Sequence, residues 1–168
     1  MRRVGLLAFH VMMALGVAAL GNSAGAQQKI TKDELIGAWT IVSCTNASGG
    51  TPASCVRPHG GMIFDAGGRF AQVFAAGGRP NFTDSGRRAQ LSAEDYKSAA
   101  QGLAAMFGTW SFDEASQRFT VHTETTLFPN GEGLDVTFGV SRSGEQLRMV
   151  VVKSYRGQGN ISLFRRAS

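Results

Sequence analysis

The sequence predicts a mostly β fold, a closed or nearly closed antiparallel barrel of eight strands with one inserted helix. Eight short segments alternate between apolar and polar residues or are rich in β-branched and aromatic residues, which is typical of strands. Most of these segments are separated by short turn-like sequences, and short turns join antiparallel neighbours. Eight antiparallel strands lose their exposed edges by closing into a barrel, although the pattern alone leaves a two-sheet sandwich as the alternative.

The amino terminus has the pattern of a cleavable export signal. Two arginines precede an apolar run over residues 4–20, and a tail of small residues ends at Ala26. This order is typical of secretory signal peptides. An uncleaved membrane anchor is the alternative, since about 20 apolar residues can span a bilayer. We expect residues 1–26 to be a signal peptide and residues 27–168 to be one periplasmic or secreted domain, with no membrane span after cleavage.

Local signals place the first elements of this domain. Thr31 with Glu34 three residues later has the form of a capping box and predicts a short helical turn that ends at Gly37. The segment Ala66-Gly67-Gly68 predicts a tight hairpin turn, because glycine adopts the positive φ angles that such turns need. The first three predicted strands span residues 39–43, 61–65 and 69–75.

The longer helix is predicted between the third and fourth strands. Ser92 with Asp95 three residues later is a helix-start signal, and alanine-rich sequence extends the predicted helix over residues 92–105. The β pattern then continues to the end of the chain, interrupted by turn-like segments. The five remaining predicted strands span residues 106–112, 118–126, 134–141, 146–154 and 160–166.

The two cysteines, Cys44 and Cys55, both lie in the predicted exported domain. In an oxidising compartment such a pair favours a disulfide. The alternative is a metal site, which would need histidine or carboxylate neighbours at ligand spacing, and His59 is the one such candidate nearby. We therefore predict a disulfide and no metal site.

Several segments, in order along the chain, resemble those of a known family. They are Leu35-Ile36-Gly37-Ala38-Trp39, Gly61-Met62-Ile63-Phe64, Arg79-Pro80-Asn81-Phe82, Phe107-Gly108-Thr109-Trp110, Val121-His122 and Leu127-Phe128-Pro129-Asn130. Together they resemble the bacterial lipocalin-like domain family, and the Gly-x-Trp of the first strand is shared with lipocalins generally. The resemblance covers about residues 35–166 and implies a lipocalin-like barrel. It implies no single activity, because the family has no one assigned function.

The same resemblance implies one structural contact, and it shows two positions at which this sequence differs from the family pattern. In barrels of this kind the first-strand tryptophan closes one end, often beneath an arginine of the last strand, which implies a contact of Trp39 with Arg165 or Arg166. The family's arginine after the Pro-Asn turn is absent, and Asp135 to Phe138 occupy that region. The family's second histidine is replaced by Thr123. A polar site that these residues form in relatives would be altered or lost here.

The fifth predicted strand offers the candidate site. Period-two alternation places His122 and Glu124 on one face, and Phe119 and Val121 on the other. The polar face either points to water or points into the lumen, where His122 could bind a polar head group or move a proton while Glu124 orients it. If the barrel holds a ligand, we expect a site composed of His122, Glu124, Trp110 and Phe138.

Composition and charge limit the classes of partner that we expect for this protein. The formal net charge is +5, two of these charges leave with the signal peptide, and the remaining arginines are scattered, unlike those of a nucleic-acid-binding face. We expect no nucleic-acid partner and no cofactor. The leading functional prediction is an exported barrel that binds a small, largely apolar molecule. The alternatives are an isomerase or cyclase with His122 as acid or base, and a ligand-free envelope or stress protein.

Overall fold

The computed structural model describes residues 29–79, 81–82, 91–154 and 159–168. The predicted signal peptide and its cleavage site lie outside the described residues. In the described part, eight strands form a closed antiparallel barrel in which each strand pairs with its neighbour in sequence and β1 closes on β8. The predicted fold is confirmed. The strands are β1 (Gly37–Asn46), β2 (His59–Phe64), β3 (Arg69–Ala75), β4 (Leu103–Asp113), β5 (Arg118–Thr126), β6 (Asp135–Ser143), β7 (Gln146–Lys153) and β8 (Asn160–Arg166).

Two α-helices accompany the barrel, α1 (Lys32–Leu35) and α2 (Ala93–Gln101). Both begin at the predicted caps, and both caps form complete capping boxes. The predicted carboxyl end of the longer helix, at residue 105, is wrong. Ala104 and Ala105 pair with β3 instead, so backbone pairing in the sheet overrides the helical propensity of alanine there.

Aromatic side chains fill one end of the barrel, which we call the closed end. Phe64 lies within about 5 Å, between ring centroids, of Phe70, Trp110 and Phe119. Phe119 has no exposed surface and stacks on Phe138 at 4.6 Å. Offset and edge-on ring contacts at these separations stabilise beyond the area that they bury. This end of the barrel is therefore a packed aromatic core.

Helix α1 lies at the closed end and fixes the first strand. Leu35 is fully buried, and its carbonyl oxygen accepts a 2.8 Å hydrogen bond from the Trp39 indole. The Arg166 guanidinium lies 4.3 Å from the centroid of the Trp39 ring and donates hydrogen bonds to the carbonyls of Glu34 and Ile36. The arginine that the resemblance implies is thus present, and it is Arg166.

Two glycines of the family motifs let neighbouring strands approach closely. A Cβ atom on Gly61 would lie 2.0 Å from the carbonyl oxygen of Trp39, and one on Gly108 would lie 2.0 Å from that of His122. Both contacts are with backbone atoms that cannot move aside. A side chain at either position would force the strands apart, which explains the glycine in each motif.

The predicted disulfide is present. Cys44 of β1 and Cys55 are bonded, with their Cα atoms 5.3 Å apart, in the usual range for disulfides. Cys55 ends a short 3-10 turn, Ala53–Cys55, in the connection from β1 to β2. The bond therefore ties that connection to the wall of the barrel.

Candidate ligand-binding site

The end of the barrel opposite α1, which we call the open end, contains a cavity of about 700 Å³. All four connections at this end contribute to its lining. Pro52 to Ser54 come from the β1–β2 connection, and Ala100 and Gln101 come from the last turn of α2. Leu127 and Phe128 come from the β5–β6 connection, and Ser154 and Gly159 from the β7–β8 connection. Helix α2 therefore lies at the mouth of the cavity.

The cavity exists because the inward side chains are smaller here than at the closed end. Ala104 of β4, Val136 of β6 and Val151 of β7 line it, whereas the rings of Phe64, Phe70, Trp110 and Phe119 pack together at the closed end. Phe138 lines it as well, and the stacking of Phe138 on Phe119 joins the cavity to the closed-end core. The cavity thus extends from the open end down to the level at which aromatic rings fill the barrel.

The walls combine a mostly apolar surface with a few neutral polar groups. Among the described residues that line the cavity, none is Asp, Glu, Lys, Arg or His. The polar side chains are Ser54, Gln72, Gln101, Thr126, Ser154 and Asn160. Such a lining suits an uncharged molecule, because burial of an unpaired charge costs much more free energy than burial of a neutral group.

Gln72 is the buried polar residue of this lining. It is 8 % exposed and lies on the inward face of β3 between Phe70 and Phe74. The residues opposite it on the two neighbouring strands are Met62 and Met106. Sequence reasoning missed Gln72, although the alternation of residues 69–75 carries the signal, a glutamine on an otherwise apolar face.

The predicted orientation of His122 and Glu124 is wrong. On β5 the inward residues are Phe119, Val121 and Thr123, all fully buried, so His122 and Glu124 lie on the outer face. His122 Nδ1 lies 2.9 Å from a carboxylate oxygen of Asp135 on β6. An inward arrangement would bury two ionisable groups, whereas the outer face leaves them solvated and gives each an oppositely charged partner on another strand.

Glu124 is paired on that outer face with Arg69 of β3. The guanidinium donates two hydrogen bonds to the carboxylate, at 2.6 and 2.8 Å. The hydrogen bond from Arg69 lowers the pKa of Glu124, with smaller contributions from the charges of Arg69 and His122. This is a surface ion pair across β4, outside the cavity.

A comparison with known families agrees with this architecture. Residues 36–164 match the sequence profile of the lipocalin-like domain family. The chain belongs to this family. A search of curated proteins found no match. The match spans the barrel from the residue before β1 into β8, so the lipocalin-like domain and the barrel are the same unit.

In this lipocalin-like barrel the two predicted aromatic site residues lie in different places. Phe138 lines the cavity, as expected. Trp110 belongs to the closed-end core, where its indole donates a 3.0 Å hydrogen bond to the carbonyl of Asp65. Of the four predicted site residues, the structure therefore places one at the cavity.

The position at which the family's second histidine is replaced has a structural role in this lipocalin-like domain. The hydroxyl of Thr123 is fully buried and contacts the carbonyl oxygens of Gly131 and Leu134. Both carbonyls belong to the β5–β6 connection, which also contributes Leu127 and Phe128 to the cavity. Thr123 thus holds part of the cavity wall in place.

Neither a metal-binding cluster nor a membrane-spanning helix is found among the described residues of the domain. These residues contain no group of three or more His, Cys, Asp or Glu side chains arranged to hold a metal ion. Within the same residues, no helix has both the length and the apolar character needed to cross a membrane.

Proposed function

We propose that this protein is an exported binding protein that holds a small, largely apolar molecule in the open-end cavity of its lipocalin-like barrel. The cavity itself is the observation that carries the proposal. Its volume of about 700 Å³ lies within the range of about 300–1,000 Å³ that is typical of small-molecule sites. Its lining of mostly apolar side chains with a few polar groups is typical of such sites as well.

The two alternative functions receive less support. An isomerase or cyclase that uses His122 would need that side chain within reach of a substrate in the lumen, and His122 lies on the outer face. No titratable side chain lines the cavity within the described residues, so acid–base catalysis has no candidate group there. A ligand-free protein would need side chains to fill the barrel, and the described residues at the open end leave a cavity instead.

Export is part of the proposal and has two supports. The amino-terminal sequence has the pattern of a signal peptide. The Cys44–Cys55 disulfide suits an oxidising compartment such as the periplasm or the extracellular space. Amino-terminal sequencing of the exported protein is expected to begin at Gln27, and a sequence that begins at Met1 would contradict cleavage.

The binding proposal is tested with 1,6-diphenylhexatriene, a hydrocarbon whose fluorescence rises when it leaves water. We expect saturable binding with one site per chain. Ala104→Phe should weaken it at least tenfold, because the new ring occupies the cavity that Ala104 lines. Ala38→Phe is the matched control, since Ala38 is exposed on the outer face of β1, and should leave binding unchanged. A folded protein that does not bind the probe, or equal losses in both variants, would refute the proposal.

A further inference from the structure

We infer that Gln72 selects the ligand, and that the ligand is an uncharged molecule with one hydrogen-bonding group, such as an amide, hydroxyl or carbonyl, at the inner end of an apolar body. This inference rests on the proposed function and adds the chemical class of the ligand and the residue that recognises it.

The Gln72 side chain lines the cavity and forms no hydrogen bond with the described part of the protein. The residue is more than nine-tenths buried. A glutamine amide offers two donors and one acceptor. No fully enclosed side-chain nitrogen or oxygen among the described residues lacks a hydrogen-bond partner, so the Gln72 amide is open to the cavity. Because buried polar groups in folded proteins are nearly always hydrogen-bonded, the partner of this amide is supplied by what the cavity holds.

The surroundings of Gln72 cannot supply that partner. The residues opposite it, Met62 on β2 and Met106 on β4, are apolar, and so are its inward neighbours on β3, Phe70 and Phe74. Thioether sulfur is at best a weak acceptor. The Gln72 amide is therefore the one polar group among these apolar neighbours. It would orient an elongated ligand so that the polar group of the ligand lies inside the barrel.

The charge of the ligand follows from the lining. A carboxylate or ammonium group beside Gln72 would be desolvated, and no described residue around the cavity provides a counter-charge. The amide of Gln72 can instead donate to a carbonyl or hydroxyl oxygen and accept from an N–H or O–H group. The site thus favours a neutral amide or alcohol over a fatty-acid anion of the same length.

Competition experiments with matched ligands test this inference. Dodecanamide, 1-dodecanol and dodecanoate at pH 8 share one chain length and differ in the head group, and each would displace 1,6-diphenylhexatriene from the purified protein. We expect dodecanamide and 1-dodecanol to bind at least tenfold more tightly than dodecanoate. Gln72→Leu should weaken the binding of dodecanamide at least tenfold, while the affinity for the hydrocarbon probe stays the same or rises.

Two further variants make the result specific to Gln72. Gln72→Met should behave as Gln72→Leu does, and both should unfold at or above the temperature of the unmodified protein, because each replaces an unpartnered amide with an apolar group. Val73→Leu is the control on the outward face of the same strand and should change no affinity.

The outcomes distinguish this inference from the proposed function. If the hydrocarbon probe binds but dodecanoate competes as well as dodecanamide, the inference is wrong and the binding function stands. The inference is equally wrong if dodecanamide binds Gln72→Leu and the unmodified protein alike. If the folded protein binds neither the probe nor any of the three ligands, the proposed function itself is refuted.

Discussion

The closed and open ends of this barrel are built from the same eight strands, yet one is a solid core and the other contains a cavity. At the closed end, short turns join the strands, and Phe64, Phe70 and Phe119 pack against one another. At the open end, longer connections join them, and these include α2 and the 3-10 turns Ala53–Cys55 and Pro129–Gly131. Alanine and valine side chains are among those that line the space between these connections.

The difference indicates how one architecture can combine a stabilising core with space for a ligand. A close-packed set of rings supplies dispersion and hydrophobic energy, and any cavity opened among them is costly. Longer connections cover an apolar space without filling it, and their sequences can vary while the closed end holds the barrel together. Phe138 lies at the boundary, stacked on Phe119 and lining the cavity.

The comparison of the two ends predicts the largest change in stability for the substitution of buried phenylalanines by alanine. Phe119→Ala removes a fully buried ring that contacts three other rings, and it should lower the free energy of unfolding by about 3–5 kcal/mol. Phe74→Ala at the open end should cost about 1 kcal/mol less, because that site already borders a cavity. Urea denaturation measures both, and equal costs would contradict the division into two ends.

The second effect concerns the disulfide that secures the open end. Reduction, or the double variant Cys44→Ala with Cys55→Ala, should lower the free energy of unfolding by about 3 kcal/mol, because the bond restricts the unfolded chain. Denaturation with and without reductant measures this. Two reactive thiols per chain in unreduced, denatured protein would show that the bond is absent.

A smaller loss of stability is expected when Arg166 is replaced at the closed end. Arg166→Met removes the contact with Trp39 and the hydrogen bonds to the carbonyls of Glu34 and Ile36, and should cost about 1–2 kcal/mol in unfolding free energy. Arg165→Met is the control at the adjacent, exposed position and should change stability by less than about 0.5 kcal/mol. If the two variants are equivalent, the stacked arginine does not stabilise this end.

The smallest effect is a pH dependence at the α1 cap. Hydrogen bonds from the Thr31 backbone and side chain lower the pKa of Glu34, with smaller effects from the charges of Arg142 and Arg166. Because the pKa is lower in the folded state, the stabilisation is complete above the unfolded-state pKa and is lost as the pH falls through the folded-state pKa. Glu34→Gln should therefore reduce stability at neutral pH and make little difference near pH 2. A difference that is independent of pH would exclude ionisation as the cause.

The sequence identified the two faces of β5 but could not decide which one points inward. Alternation separates His122 and Glu124 from Phe119 and Val121, and it is equally compatible with either orientation. The orientation depends on partners from other strands. Asp135 of β6 and Arg69 of β3 provide ion-pair partners on the outer face, and neither is adjacent to β5 residues in sequence.

What the sequence determined by itself was local. The capping boxes, the strand alternation and the turns between strands each depend on residues a few positions apart, the cysteine pair on residues 11 positions apart, and the structure confirms them. The resemblance to a family added the order in which these pieces assemble, including the pairing of Trp39 with an arginine of the last strand.

The tertiary structure alone decided where the barrel is filled and where it is open. The cavity depends on the inward side chains of several strands and on four connections, so no single segment indicates its volume. The same holds for Gln72, which is isolated only because Met62 and Met106 face it from strands that are distant in sequence. Whether a buried polar group has a partner is a property of its neighbours in space, and these are set by strand register once the barrel has closed.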